Sequence, residues 1–266
     1  MRLRALGPLL LLLVISTMAF WYYRDRFQPN GDTAAEVVAG EWLEHLHSQN
    51  PKVAQEAIRQ LEELGPRALP EIQSALRDPA MDVGIKKAAL KAVGLLGPTA
   101  TPALTEVAAH LPDPELTEES AVALSFMGRA AYAPLRDAAG SDDPVVRREA
   151  LRSLGKLRER APLDSRAVVP LLLEGLADPD AGVRVVAATY LGIIHEDGAT
   201  VVPALIETLQ DEHAEVRAAA ATALGSFEAE ARAAIPALRK ATSDRNEEVA
   251  REAGLAIVKL QSSSRK

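Results

Sequence analysis

Side chains able to do chemistry are few and scattered in this chain. Its five histidines are His45, His47, His110, His195 and His213. His45 and His47 stand two residues apart, which sends them to different sides of a helix and away from a shared metal. No His-Glu-x-x-His run occurs, and His195-Glu196 is a single pair in a predicted loop. There is no cysteine, so disulfides, thiolate catalysis, cysteine zinc sites and a cysteine-linked lipid are excluded. Neither a glycine-rich phosphate loop nor a Gly-x-Ser-x-Gly elbow is present. No catalytic residue, cofactor site, metal ligand or small-molecule substrate is indicated.

Two rows of charge remain. Arg147, Arg184 and Arg217 recur at one repeating position, and Lys86 matches them. Asp178 and Asp211 stand six residues before Arg184 and Arg217. Such arginines can form an anion-binding row, or they can pair with nearby carboxylates and hold structure. Exposed pairs of that kind add little beyond register. The second row is acidic: Glu106, Glu174 and Glu207 each stand four residues after a recurring proline, where other units carry Ser74, Ala138 and Lys240. It is either a solvated helix face or a docking groove for a basic or mixed-charge protein segment.

Both rows exist because the chain repeats. Seven runs place an aliphatic residue, a small residue four later and an aliphatic four after that, starting at Val53, Ile85, Leu116, Val146, Val183, Val216 and Val249. The spacings are 32, 31, 30, 37, 33 and 33 residues. Pro70, Pro102, Pro134, Pro170, Pro203 and Pro236 follow the first six. Self-similarity at this period predicts a helical solenoid. Val183, Ala187 and Leu191 fall on one helical stripe, as do Val216, Ala220 and Leu224. The small middle residue lets neighbouring helices approach. The runs Asp178–Arg184 and Asp211–Arg217 each hold an Asp suited to the N-cap of a first helix. Gly192 and Gly225 are expected where those helices loosen or end. The proline is expected in the first turn of a second helix, where its missing N–H costs nothing.

These residues resemble the HEAT family, and within it the short bacterial HEAT-like repeats of the phycobilin-lyase type. The family pattern is roughly Asp-Pro-x-x-x-Val-Arg-x-x-Ala-Ala-x-x-Leu-Gly followed by x-Pro-x-Leu, and it covers about residues 48–260. The resemblance implies an all-α, right-handed α-solenoid of about six helix pairs with terminal capping helices, over residues 34–266. It implies that the second helices line the concave face, carrying Glu106, Glu174 and Glu207. It also implies a structural ladder in which an Asp of one turn pairs with the Arg of an adjacent repeat, through Arg147, Asp178, Arg184, Asp211 and Arg217. Departures from the pattern are Thr117, Ser120 and Ser125 in the third unit, where a bend is expected. Arg158–Ser165 is expected as a projecting charged loop. Residues 34–48, with Val37, Val38, Trp42, Leu43 and Leu46, are expected as an N-terminal cap helix, and 249–260 as a C-terminal one.

Composition narrows the partners. The 266-residue chain is 48% hydrophobic but only 4% aromatic, so its core is built from small aliphatics. From residue 50 onward only Phe126, Tyr132, Tyr190 and Phe227 are aromatic, which leaves little for stacking bases. The formal net charge of −7 is wrong for gripping phosphates, so nucleic acid is not an expected partner.

Ala5 to Tyr23 is an uncharged, apolar stretch behind a basic stub, residues 1–4. As a helix it spans roughly 28 Å, near the hydrocarbon thickness of a bilayer. Phe20, Trp21, Tyr22, Tyr23, Arg24 and Arg26 form an interfacial belt behind it. Residues 5–23 are therefore expected as a transmembrane signal anchor, joined by a linker at 24–33. The repeat domain is then expected outside the cytoplasm, in the periplasm of a Gram-negative cell. Thr17-Met18-Ala19 leaves a cleaved signal peptide open, with a secreted or periplasmic domain, and a cytoplasm-facing domain is the remaining topology. The function expected from this layout is a membrane-tethered, non-catalytic scaffold that binds protein partners. The alternatives are an accessory subunit of a membrane enzyme complex and a lyase-like or metal-dependent HEAT-repeat enzyme.

Overall fold

A computed structural model describes residues 41–45, 48, 50–160 and 165–262. The stub, the 5–23 segment, the linker and, in the expected cap helix, Val37, Val38 and Leu46 lie outside the described residues. Residues 41–45 are helical, with Leu43 buried.

The described residues form helices without strands. First helices are α1 (Pro51–Leu64), α3 (Val83–Leu96), α5 (Thr117–Phe126), α7 (Pro144–Arg160), α9 (Ala181–Ile194), α11 (Ala214–Leu224) and α13 (Glu247–Ser262). Second helices are α2 (Leu69–Arg77), α4 (Leu104–Ala109), α6 (Tyr132–Ala138), α8 (Ser165–Gly175), α10 (Gly198–Thr208) and α12 (Ile235–Ala241). Each first helix packs on the first helix of the next unit, and each second helix packs on that same following helix. This stacking closes one continuous core, an all-helical solenoid.

The repeat stripe builds that core. The middle residues Ala57, Ala89, Ser120, Ala150, Ala187, Ala220 and Ala253 all have 0% exposure. The aliphatics on either side of them are buried from Leu116 to Val249, while Val53, Ile85 and Ile257 are half-buried near the ends. Small residues at the centre bring helix backbones together, and the flanking Leu and Val fill the space between, each contributing about 2 kcal/mol when fully buried.

Four local expectations are corrected. Gly192 does not end its helix: α9 runs on to Ile194 and ends at His195, which is left-handed with φ 38°. Gly225 does cap α11, but in a right-handed conformation any residue adopts. The glycines serve close approach instead. A Cβ at 155 would stand 2.1 Å from the Tyr190 ring, one at 192 would stand 2.6 Å from the Ala223 Cα, and one at 225 would stand 3.1 Å from the Ala256 Cα.

Second, the run from Asp178 to Arg184 does supply an aspartate N-cap, Asp180, which accepts from Val183 N–H at 3.0 Å, but Asp211 does not cap its helix: His213 occupies the cap position of α11. Third, the repeat proline opens a helix at Pro70 and Pro236, but Pro170 and Pro203 lie inside α8 and α10. In those two units the leading turn is itself α-helical. Pro236 follows a 3-10 turn, Glu228–Ala234, and Pro102 lies inside one, Gly97–Ala103, ahead of α4. Fourth, Arg158–Arg160 is helix, not projecting loop. Arg158 bonds forward to Glu196 at 2.5 Å, and Arg160 bonds back to the Ser125 hydroxyl at 3.0 Å, so both lie down on neighbouring units. Residues 161–164 lie outside the described residues.

Candidate functional site

Three arginines at the start of α7, α9 and α11 make one repeated contact. Arg147 forks onto Asp178, Nε to Oδ2 at 2.7 Å and Nη2 to Oδ1 at 2.8 Å. Arg184 forks onto Asp211 at 2.8 and 3.0 Å, and Arg217 onto Asp244 at 2.8 and 2.9 Å. In each, the remaining nitrogen Nη1 donates to two carbonyls of the arginine's own turn: Ser141 and Asp142, Asp178 and Pro179, Asp211 and Glu212. The same aspartates accept a backbone N–H two residues on, from Asp180, His213 and Asn246. One guanidinium thus ties its own turn to the next, using the planar fork that lysine lacks.

The electrostatics agree with the geometry. Arg147 holds the Asp178 carboxyl below the usual carboxylate range, and Arg217 does the same for Asp244. Burial pushes Asp211 up, but the bonds from Arg184 and from His213 N–H outweigh it and leave the carboxyl lowered. Each arginine is in turn held above its ordinary value by its aspartate. Both oxygens of each carboxylate accept within the fold, and Nε, Nη1 and Nη2 of each guanidinium all donate there, so the row offers no vacant guanidinium to a dissolved anion. Sequence reasoning missed Asp244. The signal was there: it precedes Val249 by five residues, as Asp178 precedes Val183 and Asp211 precedes Val216.

The ladder stops at the third unit. Thr117 occupies the arginine position, 2% exposed, and its hydroxyl meets the carbonyls of Leu111 at 2.9 Å and Asp113 at 2.7 Å. It ties its own turn but is too short to reach the next one. The aspartate position of that next turn is correspondingly a serine, Ser141. Lys86 has no carboxylate within ion-pair distance among the described residues. The first junctions use other contacts: Arg77 to Glu106, Lys87 to Glu119 at 2.8 Å, and His110 Nε2–H to the Leu76 carbonyl at 2.9 Å.

The acidic row divides. Glu106 is drawn into the first junction, bonded by Arg77 Nε at 2.8 Å and by Gln73. Burial pushes its carboxyl up, and these bonds pull it below its ordinary value. Glu174 and Glu207, on α8 and α10, are exposed and have no ion-pair partner among the described residues. They hold the same register in consecutive units, and they are the part of the row open to a partner.

The histidines do not converge. His195 Nδ1–H donates to the Ile193 carbonyl at 2.9 Å, and Glu196 is held by Arg158. His213 Nδ1 accepts from Arg184 Nη2 at 3.0 Å, because a guanidinium can only donate. His45 meets the edge of Trp42, and His47 lies outside the described residues. Among the described residues no three His, Asp or Glu side chains group so as to hold a metal ion.

Comparison with known proteins agrees with this architecture. Importin beta, in an ammonium sulfate condition, superposes with a TM-score of 0.62 at 16% identity, over 85% of this chain and 33% of that one. Kap121p bound to RanGTP gives 0.60 at 15% identity, over 88% and 29%. An engineered protein, target OR497, gives 0.50 at 21% identity, over 86% and 71%. The chain spans about a third of the first of these proteins and less of the second. At such identities the likeness is one of fold. No curated protein sequence matches the chain. A family profile described as HEAT repeats matches residues 40–125, 132–206 and 202–265, which is most of the chain. With its helix pairs, buried small-residue stripe and arginine ladder, the chain belongs to the HEAT-repeat family.

Proposed function

We propose that this protein is a non-catalytic scaffold that binds a basic or mixed-charge protein segment across the second helices of its later units. One observation carries the reading. Glu174 and Glu207 are exposed in the same register on α8 and α10, while the neighbouring carboxylates Asp178 and Asp211 are consumed by the ladder. The fold neighbour Kap121p has been captured with RanGTP and with Nup53p, so a solenoid of this shape is a fitting platform for protein companions.

The apolar 5–23 segment supports a tether, with the solenoid held near a membrane and facing away from the cytoplasm. Among the described residues no helix is long and apolar enough to cross a membrane, and residues 5–23 lie outside them. A scaffold so placed also suits an accessory role beside a membrane enzyme complex.

A mild-detergent pull-down of the full chain tests the binding reading. A stoichiometric protein companion lost on Glu174→Lys/Glu207→Lys, with helicity unchanged, is the expected result. An unchanged companion profile from that variant overturns it. A reporter active on one side of the membrane, fused after Lys266, tests the topology. Activity only in the cytoplasm overturns the tether as drawn.

A further inference from the structure

Each first helix of the stack turns one side toward the next. Three contacts define that side: Gly192 against Ala223, Gly225 against Ala256, and the Thr222 hydroxyl donating to the Glu252 carboxylate at 3.0 Å. In each, a residue six or nine places after the first aliphatic of one unit meets a residue three or seven places after that of the following unit. On α13 the six and nine positions are Leu255 and Val258. They are 50% and 63% exposed, the highest values for large apolar side chains among the described residues. Gly254 stands beside them. Its counterparts Leu90, Ala121, Leu151, Ala188 and Ala221 are buried, whereas a Cβ on Gly254 would meet nothing within 4 Å. A capping helix turns a polar side outward. α13, which the sequence pattern reads as a cap, turns out an apolar one.

The surfaces of the chain itself select what covers this side. The opposite end of the stack does not match it. The corresponding forward positions of α1 are Lys52, Glu56 and Gln60, and Glu56 is held there by Arg59 and Gln60. A head-to-tail stack of copies would press Leu255 and Val258 onto charge. α13 does match itself. One side of it carries two apolar projections and, next to them, the hollow at Gly254. Two such helices laid antiparallel set the Leu255 of each beside the glycine of the other. α13 also begins with Glu247 and Glu248 and has Lys259 in its last turn. The antiparallel arrangement brings each acidic start to the other's basic end, whereas a parallel one sets like charge on like. Arg251, on the same side, is already bonded to Glu248 and Glu252 at 3.2 and 3.0 Å, so it enters the contact with its charge satisfied.

We infer that two copies of this protein associate tail to tail, α13 lying antiparallel on α13 about a two-fold axis near Gly254, with Leu255 and Val258 at the centre of the contact. A two-fold contact of this kind closes on itself and builds no filament. One helix of about 24 Å supplies the contact, an interface at the small end of the range, so the dimer is a micromolar one. The pairing leaves Glu174 and Glu207 open on both copies, which makes the dimer bivalent for a partner of that face.

Sedimentation equilibrium of the full chain in density-matched mild detergent tests this. A monomer–dimer equilibrium with a Kd of about 1–100 μM is expected. Leu255→Lys/Val258→Glu changes two exposed positions, so it should keep the helicity and weaken association at least about tenfold. Glu174→Lys/Glu207→Lys should leave association unchanged. The chain has no cysteine, so single cysteines report the register. Glu247→Cys and Gln261→Cys stand at opposite ends of α13, roughly 21 Å apart along it. Mixed and oxidised, the two variants should link to each other and neither to itself, because a disulfide needs Cα atoms within about 7 Å. A chain that stays monomeric up to about 300 μM overturns the assignment. So does a dimer that Leu255→Lys/Val258→Glu leaves intact, or a Glu247→Cys variant that links mainly to itself.

Discussion

Gly192 of α9 and Ala223 of α11 stand so close that a Cβ on residue 192 would fall 2.6 Å from the Ala223 Cα and 2.8 Å from its Cβ. Neither neighbour can move without moving a helix. Gly192→Val should therefore destabilise the protein by about 3 kcal/mol, since overpacking here meets backbone and not a flexible tip. Gly254 of α13 is the control, because a Cβ there meets nothing within 4 Å. Gly254→Ala should stabilise by about 0.5–1 kcal/mol through helix propensity alone. Urea midpoints of the two variants check both signs. Equal destabilisation by both would remove close approach as the reason for Gly192.

Arg184 is the best-connected rung of the ladder, with an aspartate, two carbonyls and a histidine ring nitrogen as acceptors. Arg184 and Asp211 keep only 9% and 12% of their side-chain surface exposed. Arg184→Ala should cost about 3 kcal/mol, because it strands a largely buried carboxylate. Arg184→Met/Asp211→Leu should recover more than half of that loss, since replacing both partners leaves no unpaired charge. A double-mutant cycle on the full chain measures it. Additive losses would mean that the pair is not coupled.

The ladder also sets a pH response. Asp178, Asp211 and Asp244 have folded values below the ordinary 3.8. The unfolded chain then takes up protons at a higher pH than the fold does, so stability rises with pH in that range. The contribution is complete above the ordinary carboxylate value and is lost as pH falls through 3.8 toward the depressed folded values. Asp244→Asn should flatten the acid limb of a stability–pH curve and leave its neutral-to-alkaline limb parallel to that of the wild type. An unchanged acid limb would place the acid sensitivity elsewhere.

The pieces legible in the sequence are those that recur at one offset within a unit. Ala187 and Ala220 declare themselves because the stripe returns every 33 residues or so, and their burial needs no knowledge of what they touch. The glycines show the limit of that signal. Gly192 and Ala223 belong to different units, and a period shows which positions are equivalent but not which of them meet. Gly94 obeys the pattern, yet a Cβ there would meet only the Phe126 ring at 3.7 Å, so the looser α3–α5 junction has no signature of its own. Asp244 kept the ladder spacing, but its helix reads as a cap and draws attention from the turn before it. Glu106 shares its offset with Glu174 and Glu207, and only the third dimension reveals that Arg77 reaches it from the preceding unit.

Unequal junctions predict unequal local stability along the solenoid. In a repeat protein, stability is a sum of unit terms and nearest-neighbour terms, so a weak junction opens on its own. α3 and α11 are each second from the end in the series of first helices, which makes them a matched pair. α11 is clamped by Arg184–Asp211 on its leading turn and Arg217–Asp244 on its trailing side, with Gly192 and Gly225 closing both faces. α3 has neither an arginine rung nor a tight glycine contact. Its trailing face, toward α5, carries an open groove of about 520 Å³ and one partly exposed bridge, Lys87–Glu119, of a kind worth about 1 kcal/mol at most. Native-state hydrogen exchange should therefore find amides of α3 opening at least about tenfold more often than those of α11. Arg217→Met should lower protection in α11 and α13 while leaving α3 as it was, because the lost rung touches only those two units. Equal protection in α3 and α11 would mean that apolar burial alone sets the gradient. Protection lost along the whole chain in Arg217→Met would mean that the solenoid opens as one cooperative body.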